Sequence, residues 1–467
     1  MDLSDAIDHY HGLLDDAGAR DTFERLDAAI RARGMLVGKA RDRLICSVLR
    51  PRLLTEAQLA TVERAATLVG RAIRKVGAAA LADPALLKPY ALTPPEQALL
   101  AIDPGYAGAS AFGRLDGFLA TDASACWFVE SNLESPAGIG YDEAMAEVFD
   151  QLEIMGEFRK TYRAAALPHR QGLQQLLLDS YRDWGGAGTP TIAIVDYREA
   201  VTWPEFEHLR DRFEAEGIAT VIADPAELEY DGKRLYARIP DRQSPLAVDL
   251  VYRRVLQHEF LAKYDLDHPL VRAYADRAVC VVNPFRTKPV HTKLIMWLLS
   301  DEDGPAAGLL DAEERAAVRE HVPWTRQVLG GVTRYQGQQI PLLTFAQRNR
   351  EQLVLKPNDD YGGQGVLLGW ETDQITWDRA LAAAQATPYV IQERVPLPSE
   401  EYPTWTPEEG LCFTPRYVDS DPCVYGDRAV GCLTRIAATS LLNVSAGGGA
   451  APPTFVVAPA SPRAQPV

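Results

Sequence analysis

The sequence predicts a mixed α/β (α+β) fold, and three observations predict it. Apolar residues recur at helical spacing through the first hundred positions, as in TFERLDAAIRARG and EAQLATVERAATLVGRAIRKVGAAALA. Between residues 189 and 285 short apolar runs alternate with an amphipathic helical pattern, which is how a parallel sheet with crossover helices reads. Ahead of that layer lies RLDGFLATDASACWFVESN, two strand-like runs joined through a polar turn at residues 121–124, the pattern of a β-hairpin with a longer loop. At 467 residues the chain exceeds one ordinary domain and can bury a large core.

Composition excludes some partners. Lys and Arg number 48 against 64 Asp and Glu, a net charge of −16, so no nucleic-acid partner is expected; a nucleotide can still bind in a local basic pocket. The opening MDLSDAIDHYHGLL is acidic where a signal peptide would be basic, and no apolar run is long enough to span a bilayer. A cytoplasmic protein with no membrane partner is the expectation. Cys46, Cys126, Cys280, Cys412, Cys423 and Cys432 lack CxxC spacing and are expected to be buried free thiols. His9 and His11 have no partner cluster and are expected on a solvated helix.

The helical stretch over residues 1–100, broken by the prolines of LTPPEQ, carries no evident chemistry and suits a cap or substrate cover. The hairpin does carry chemistry. Side chains alternate faces along a strand, so a register centred on Ala123 sets Asp116 opposite Glu130 and Arg114 opposite Asn132, at roughly 4.5–5.5 Å. Two carboxylates that close repel unless a cation lies between them. Mg²⁺, which binds through one or two carboxylates plus substrate phosphates, suits so small a set, and Arg114 would then lie beside the phosphates. The alternative is a surface hairpin carrying a cross-strand charge pair, but Trp127, Phe128 and Val129 point to a partly buried strand where unpaired carboxylates are costly.

Residues 143–180 read as helical and end at the breaker loop WGGAGTP. TIAIVD, the helix WPEFEHLRDRFEAEG, IATVIAD and LAVDLVYRR then form the alternating layer, which lacks GxGxxG and is not assigned a dinucleotide. Arg253 and Arg254, at a strand end, match either an anionic substrate or structural ion pairs. In NPFRTKPVHTKLIMWLLSDE, either Lys288 or Lys293 could reach a phosphate from a helix start. In QLVLKPNDDYGGQGVLLG a strand over residues 353–355 delivers Lys356, and Gly362, Gly363 and Gly365 allow backbone amides to cradle phosphate oxygens. The lysine precedes the glycines, so this is no Walker loop; a glycine-rich hairpin with a solvated lysine is the alternative. PYVIQERVPLP reads as a strand entering a Pro-rich connection whose backbone can read a base edge, with Glu393 available to ribose hydroxyls. Arg435 and Asn443 lie on or near strands before a glycine run, and PPTFVVAPASPRAQPV reads as a loosely held tail.

The segments RLDGFL…FVESNLESPAG, VLKPNDDYGGQGV, VIQERV and TRIAATSLLNVSAGGG together resemble the ATP-grasp superfamily. Ordinary members place the lysine, glycine loop and hinge before an Arg-x-Asp…Glu-x-Asn metal hairpin. Here the hairpin comes before residue 135 and the lysine–glycine loop after residue 355, which is similar to the circularly permuted ATP-grasp proteins, a group that includes glutathionylspermidine synthetase. Over roughly residues 100–450 the resemblance implies Asp116, Glu130 and Asn132 as Mg²⁺ ligands and Arg114 as stabiliser of the transferring phosphoryl group. It further implies Lys293 and Lys356 on the ATP phosphates beneath the loop of Gly362, Gly363 and Gly365, and an adenine hinge over residues 392–395 with Gln392, Glu393 and Val395. The implied plan is a helical cap (1–100), a permuted segment with the metal hairpin (101–188), a βαβ pre-ATP-grasp-like domain (189–285), a nucleotide-binding segment (286–450) and a loosely ordered tail (451–467). The implied activity is an ADP-forming, ATP- and Mg²⁺-dependent ligase that joins a small-molecule carboxylate to an amine through an acyl phosphate. A small-molecule kinase and a non-catalytic nucleotide-binding scaffold are the alternatives. An amidase-like cysteine domain is not implied, and the acid, the amine and the oligomeric state are not legible.

Overall fold

The structure, a computed structural model, describes residues 2–38, 40–108, 110–239, 244–360, 362–444 and 449–460. The hairpin forms from Phe112–Leu119 and Cys126–Asn132, with Arg114 opposite Asn132 and Asp116 opposite Glu130. That is the expected register as far as Asp116. A bulge between Asp116 and Gly117 then shifts the pairing, so that Gly117 meets Phe128 and Leu119 meets Cys126. Glycine is required there: a Cβ at 117 would lie 2.4 Å from the Trp127 carbonyl oxygen. Ala123, with φ 57°, closes the turn by donating its N–H to the Ala120 carbonyl at 2.7 Å.

Two strands from the other end of the chain complete this sheet. Asp421–Tyr425 pairs with Phe112–Leu119, Cys423 opposite Arg114, and Arg428–Leu433 flanks it to give four antiparallel strands. Behind the sheet runs the helix Glu56–Ala82, whose buried Val62, Ala66, Val69, Ile73 and Val76 follow the expected helical spacing. Its N-terminus carries a capping box between Thr55 and Gln58, and Gly70 admits Val424 against the helix backbone. The longest helix of residues 1–100 is thus part of the frame that supports the hairpin.

Three expectations are corrected. The segment expected to be a loose tail contains the strand Thr454–Pro459, which pairs parallel to Arg52–Thr55 and antiparallel to Tyr162–Ala166, with Phe455 and Val457 buried. Prolines on both sides disguise it, but the Thr-Phe-Val-Val run supplies an apolar face that two neighbours cover; residues 461–467 lie outside the described residues. The helical stretch expected over 143–180 is interrupted by that same Tyr162–Ala166 strand. LAVDLVYRR is two strands: Asp249 accepts the Thr191 N–H at 3.0 Å, so Leu246–Val248 joins a three-stranded antiparallel sheet and Leu250–Arg253 enters the parallel one.

The alternating layer forms as expected, four parallel strands in the order Cys280–Val282, Leu250–Arg253, Ile192–Val195, Thr220–Ala223. At its edge the buried Asn283 accepts the Ala111 and Phe112 N–H groups at 2.9 Å and donates to the carbonyls of Phe112 and Glu134 at 2.7 and 2.9 Å, stitching both roots of the hairpin to this sheet. A third four-stranded sheet, antiparallel, carries the lysine and its loop: Thr325–Gln327, Tyr389–Glu393, Leu353–Pro357, Leu367–Leu368. All six cysteines are free, with Cys412 half-buried and the others buried. Among the described residues no helix is long and apolar enough to cross a membrane.

Candidate active site

The hairpin sheet and the lysine-bearing sheet face each other across a cavity of about 810 Å³. Arg114, Asp116, Glu130, Asn132, Lys356, Gly362, Gly363, Gln392, Glu393 and Val395, drawn from segments more than two hundred residues apart, all line it. The lysine is the join between the two sheets. Strand Leu353–Pro357 delivers Lys356 into the interior, where its ammonium donates to the Val129 carbonyl at the hairpin bulge (3.1 Å) and to the Gln392 amide oxygen (2.7 Å). Burial, only partly offset by the nearby Glu130 carboxylate, lowers the Lys356 ammonium to about 8.

The glycine loop turns through positive φ at Gly362, Gly363 and Gly365, which only glycine adopts without strain. Gly365 does not line the cavity; it packs its turn against Pro357. Over the loop lies a segment from the other side, with the Asn443 amide donating to the Gly362 carbonyl and Leu441 against Gly363. Tyr361, between Asp360 and these glycines, and residues 445–448 of the later glycine run lie outside the described residues. Of the two candidate lysines, Lys293 lies 3.3 Å from Glu130 and donates to the Asp360 carbonyl at 2.6 Å, just behind the cavity wall. Lys288 is buried on Asp359 and, at 3.5 Å, Glu96, away from the cavity.

On the hairpin face the carboxylates are not left to repel each other. Asp116 accepts both Arg114 bonds, 2.7 and 2.9 Å, in a fork, and a third from Arg435 at 2.8 Å. Arg435 also reaches Asp419 at 2.7 Å and Asp421 at 3.0 Å, and Asp421 Oδ1 accepts the Gly117 N–H at 3.2 Å. The cations that answer the repulsion expected from the sequence are thus two guanidinium groups at Asp116 and Lys293 at Glu130. Burial by itself would raise Asp116, yet Arg114 and Arg435 hold it well below the usual carboxylate range. Burial pushes Asp421 well up, and Asp419 with it, against the pull of the Arg435 guanidinium. Asp419, Asp421 and Arg435 carried no expected role: they reach the hairpin only because strand Asp421–Tyr425 pairs with it.

The hairpin set fits a hard divalent cation in its donor chemistry, two carboxylates and an amide on one face, with the buried Asp421 carboxyl, paired with Arg435 at 3.0 Å, beside them. Among the described residues no group of three or more His, Cys, Asp or Glu side chains is gathered to hold a metal unaided. At the carboxyl ends of the parallel strands, Arg254 lines the same cavity, donating to the Tyr252 hydroxyl at 3.1 Å and to the Pro136 carbonyl at 2.5 Å. Arg253 turns the other way, fully buried on Glu134 at 2.7 Å.

No protein-family profile matches the chain. A protein of Frankia casuarinae named "Putative glutamate--cysteine ligase 2-2" is 26% identical over 341 residues, 69% of this chain and 36% of that protein; the chain thus spans about a third of the length of the curated relative it matches. The solved structure of a glutathione synthetase-like effector from Globodera pallida, in apo form, superposes with a TM-score of 0.58 at 11% identity, covering 94% of this chain and 97% of that one. That likeness shows the fold alone, a mixed α/β architecture of the glutathione synthetase-like kind. A structure titled "Putative gamma-glutamylcysteine synthetase" from Methylobacillus flagellatus KT, at 9% identity over 72% of this chain and 78% of that one, has a TM-score of 0.32 and carries no argument.

Proposed function

We propose that the chain is a circularly permuted ATP-grasp enzyme, an ATP- and Mg²⁺-dependent ligase that joins a small-molecule carboxylate to an amine through an acyl phosphate and releases ADP. The observation that carries this reading is the convergence of the hairpin face and the Lys356–glycine loop on one cavity, with the lysine bonded to the hairpin itself. The curated relative is named "Putative glutamate--cysteine ligase 2-2", which supports a ligase, and the structural neighbour, titled glutathione synthetase-like, supports the fold.

In the first step two anions meet, a substrate carboxylate and the terminal phosphate of ATP, so catalysis rests on positioning and charge. Asp116, Glu130 and Asn132 would hold Mg²⁺, which when bound neutralises phosphate oxygens. Arg114 offers its guanidinium to the phosphoryl group in transit, Lys356 and Lys293 lie along the remaining phosphates, and Gln392, Glu393 and Val395 border the base. The glycine loop, with the 440–444 segment resting on it, closes over the phosphates and keeps water from the activated acyl group. The amine then displaces phosphate and the amide forms.

Purified protein with ATP, Mg²⁺ and a small-molecule cell extract is expected to yield ADP together with a new mass equal to two components less one water. A phosphorylated product without condensation would replace the ligase by a kinase, and ATP that binds but is never consumed would reduce the protein to a nucleotide-binding scaffold. Lys356 adds a pH signature. Because its ammonium in the free protein loses its proton near pH 8, its charge is present below that value and lost above it, so ATP affinity should fall as pH rises from 7 to 9. Calorimetric titration across that range checks this; an affinity that stays level to pH 9 would remove Lys356 from the phosphate site.

A further inference from the structure

Arg435 is the one side chain on this wall whose three acidic partners come from two different parts of the chain: Asp116 on the hairpin, and Asp419 and Asp421 at the start of the strand that joins it. Its partners are anchored. Asp116 and Asp421 are buried, Asp116 is gripped by Arg114, and Asp421 accepts the Gly117 N–H. Arg435 is more exposed than any of them, 24% of its side chain open, and it lines the cavity. The guanidinium sits where a cation shared by these carboxylates would sit, and a metal ion brought to Asp116 would meet a like charge within hydrogen-bonding distance of its own ligand.

We propose that Arg435 is a tethered cation that holds the hairpin carboxylates when no metal is bound, and that a divalent cation gains Asp116 as Arg435 transfers to the anion arriving with it, a polyphosphate. The inference rests on the metal–nucleotide reading of the cavity and makes Arg435 a positioning residue. Metal alone then binds poorly, metal and polyphosphate bind cooperatively, and by reciprocity each strengthens the other by the same factor. Of the two guanidiniums on Asp116, Arg114 is also tied to the backbone through the Ala137 carbonyl, at 2.7 Å, whereas Arg435 is held by carboxylates, Asp419 at 2.7 Å and Asp421 at 3.0 Å besides Asp116.

The test is Mn²⁺ binding to the full chain, read as free ion by electron paramagnetic resonance, with no nucleotide present. Arg435→Met is expected to tighten Mn²⁺ by about tenfold, within the usual range for coupled sites. Arg435→Lys, which keeps the charge but has no planar fork to span three carboxylates, should tighten it by a smaller factor and carries the test if the Met variant does not fold. Lys263→Met removes an equal charge from the far wall of the same cavity, where Lys263 pairs with Glu199 at 2.8 Å, and should change Mn²⁺ affinity less than twofold if the effect is local. Unchanged or weaker Mn²⁺ binding in folded Arg435 variants overturns the proposal, as does equal tightening in Lys263→Met. A separate calorimetric titration with the preformed Mn²⁺ complex of a non-hydrolysable ATP analogue tests the underlying reading. Wild type that ignores this complex loses the ligase assignment, whereas wild type that binds it while the Arg435 variants leave Mn²⁺ affinity unmoved loses only the tethered cation.

Discussion

Glu130→Gln should leave a folded protein whose ATP turnover has dropped by about 10²–10³-fold, the usual cost of removing a charge aimed at a transition state. The substitution preserves shape and one oxygen acceptor, so Lys293, 3.3 Å away, keeps a polar neighbour and its bond to the Asp360 carbonyl. Glu130 is about a quarter exposed at the cavity wall, which keeps the structural penalty small. What is lost is one of the two carboxylates that face each other across the hairpin register. Release of ADP, followed beside the far-ultraviolet dichroism and melting curve of the same preparation, separates the two effects. Turnover within a few-fold of wild type would remove Glu130 from the chemistry.

The largest stability effect is expected at Glu134→Ala, which should cost about 3–5 kcal/mol because it strands a buried guanidinium without its carboxylate partner. Glu134 and Arg253 are both fully buried and lie 2.7 Å apart, and the same carboxylate oxygen accepts the Gln257 N–H at 2.9 Å. Burial would raise the Glu134 carboxyl, but Arg253, with His291 and Lys288 behind it, draws it down to about 2. An acid whose folded value is depressed contributes stability above its unfolded value, near 4.5, and that contribution is lost as pH falls towards 2. Urea unfolding at pH 7 reads the loss directly. The double variant Glu134→Leu with Arg253→Met should lie closer to wild type than Glu134→Ala does, since removing both charges leaves nothing uncompensated. A single-variant loss below about 1 kcal/mol would mean that the pair contributes little beyond packing.

How much of this was legible in the sequence depended on how local the cause was. The hairpin register at Arg114, Asp116, Glu130 and Asn132 follows from a period of two and the length of the turn, and both are written in the consecutive residues 114–132. The parallel layer was legible for the same reason, since each strand and helix carries its own period. Asp419, Asp421 and Arg435 were not legible, because nothing near YVDSDP announces that it will pair with a strand about three hundred residues upstream. Asn283 was equally silent: one amide between Val282 and Pro284 becomes the clamp of two sheets only once both are in place. The final strand hid behind its flanking prolines, and its membership of a sheet was decided by partners at 52–55 and 162–166.

The pairing of Cys423 with Arg114, and of Phe455 with Leu53, has a consequence for how the molecule comes into being. Both junctions close loops of several hundred residues, and the entropy of closing them has to be met before their contacts return anything. During synthesis the hairpin emerges early but lacks two strands of its sheet and the arginine that covers its carboxylates. Until residues 421–435 have left the ribosome, Asp116 has only Arg114 for company and one edge of the hairpin is bare, a state prone to pair with other chains. The cavity is therefore among the last features of the fold to exist.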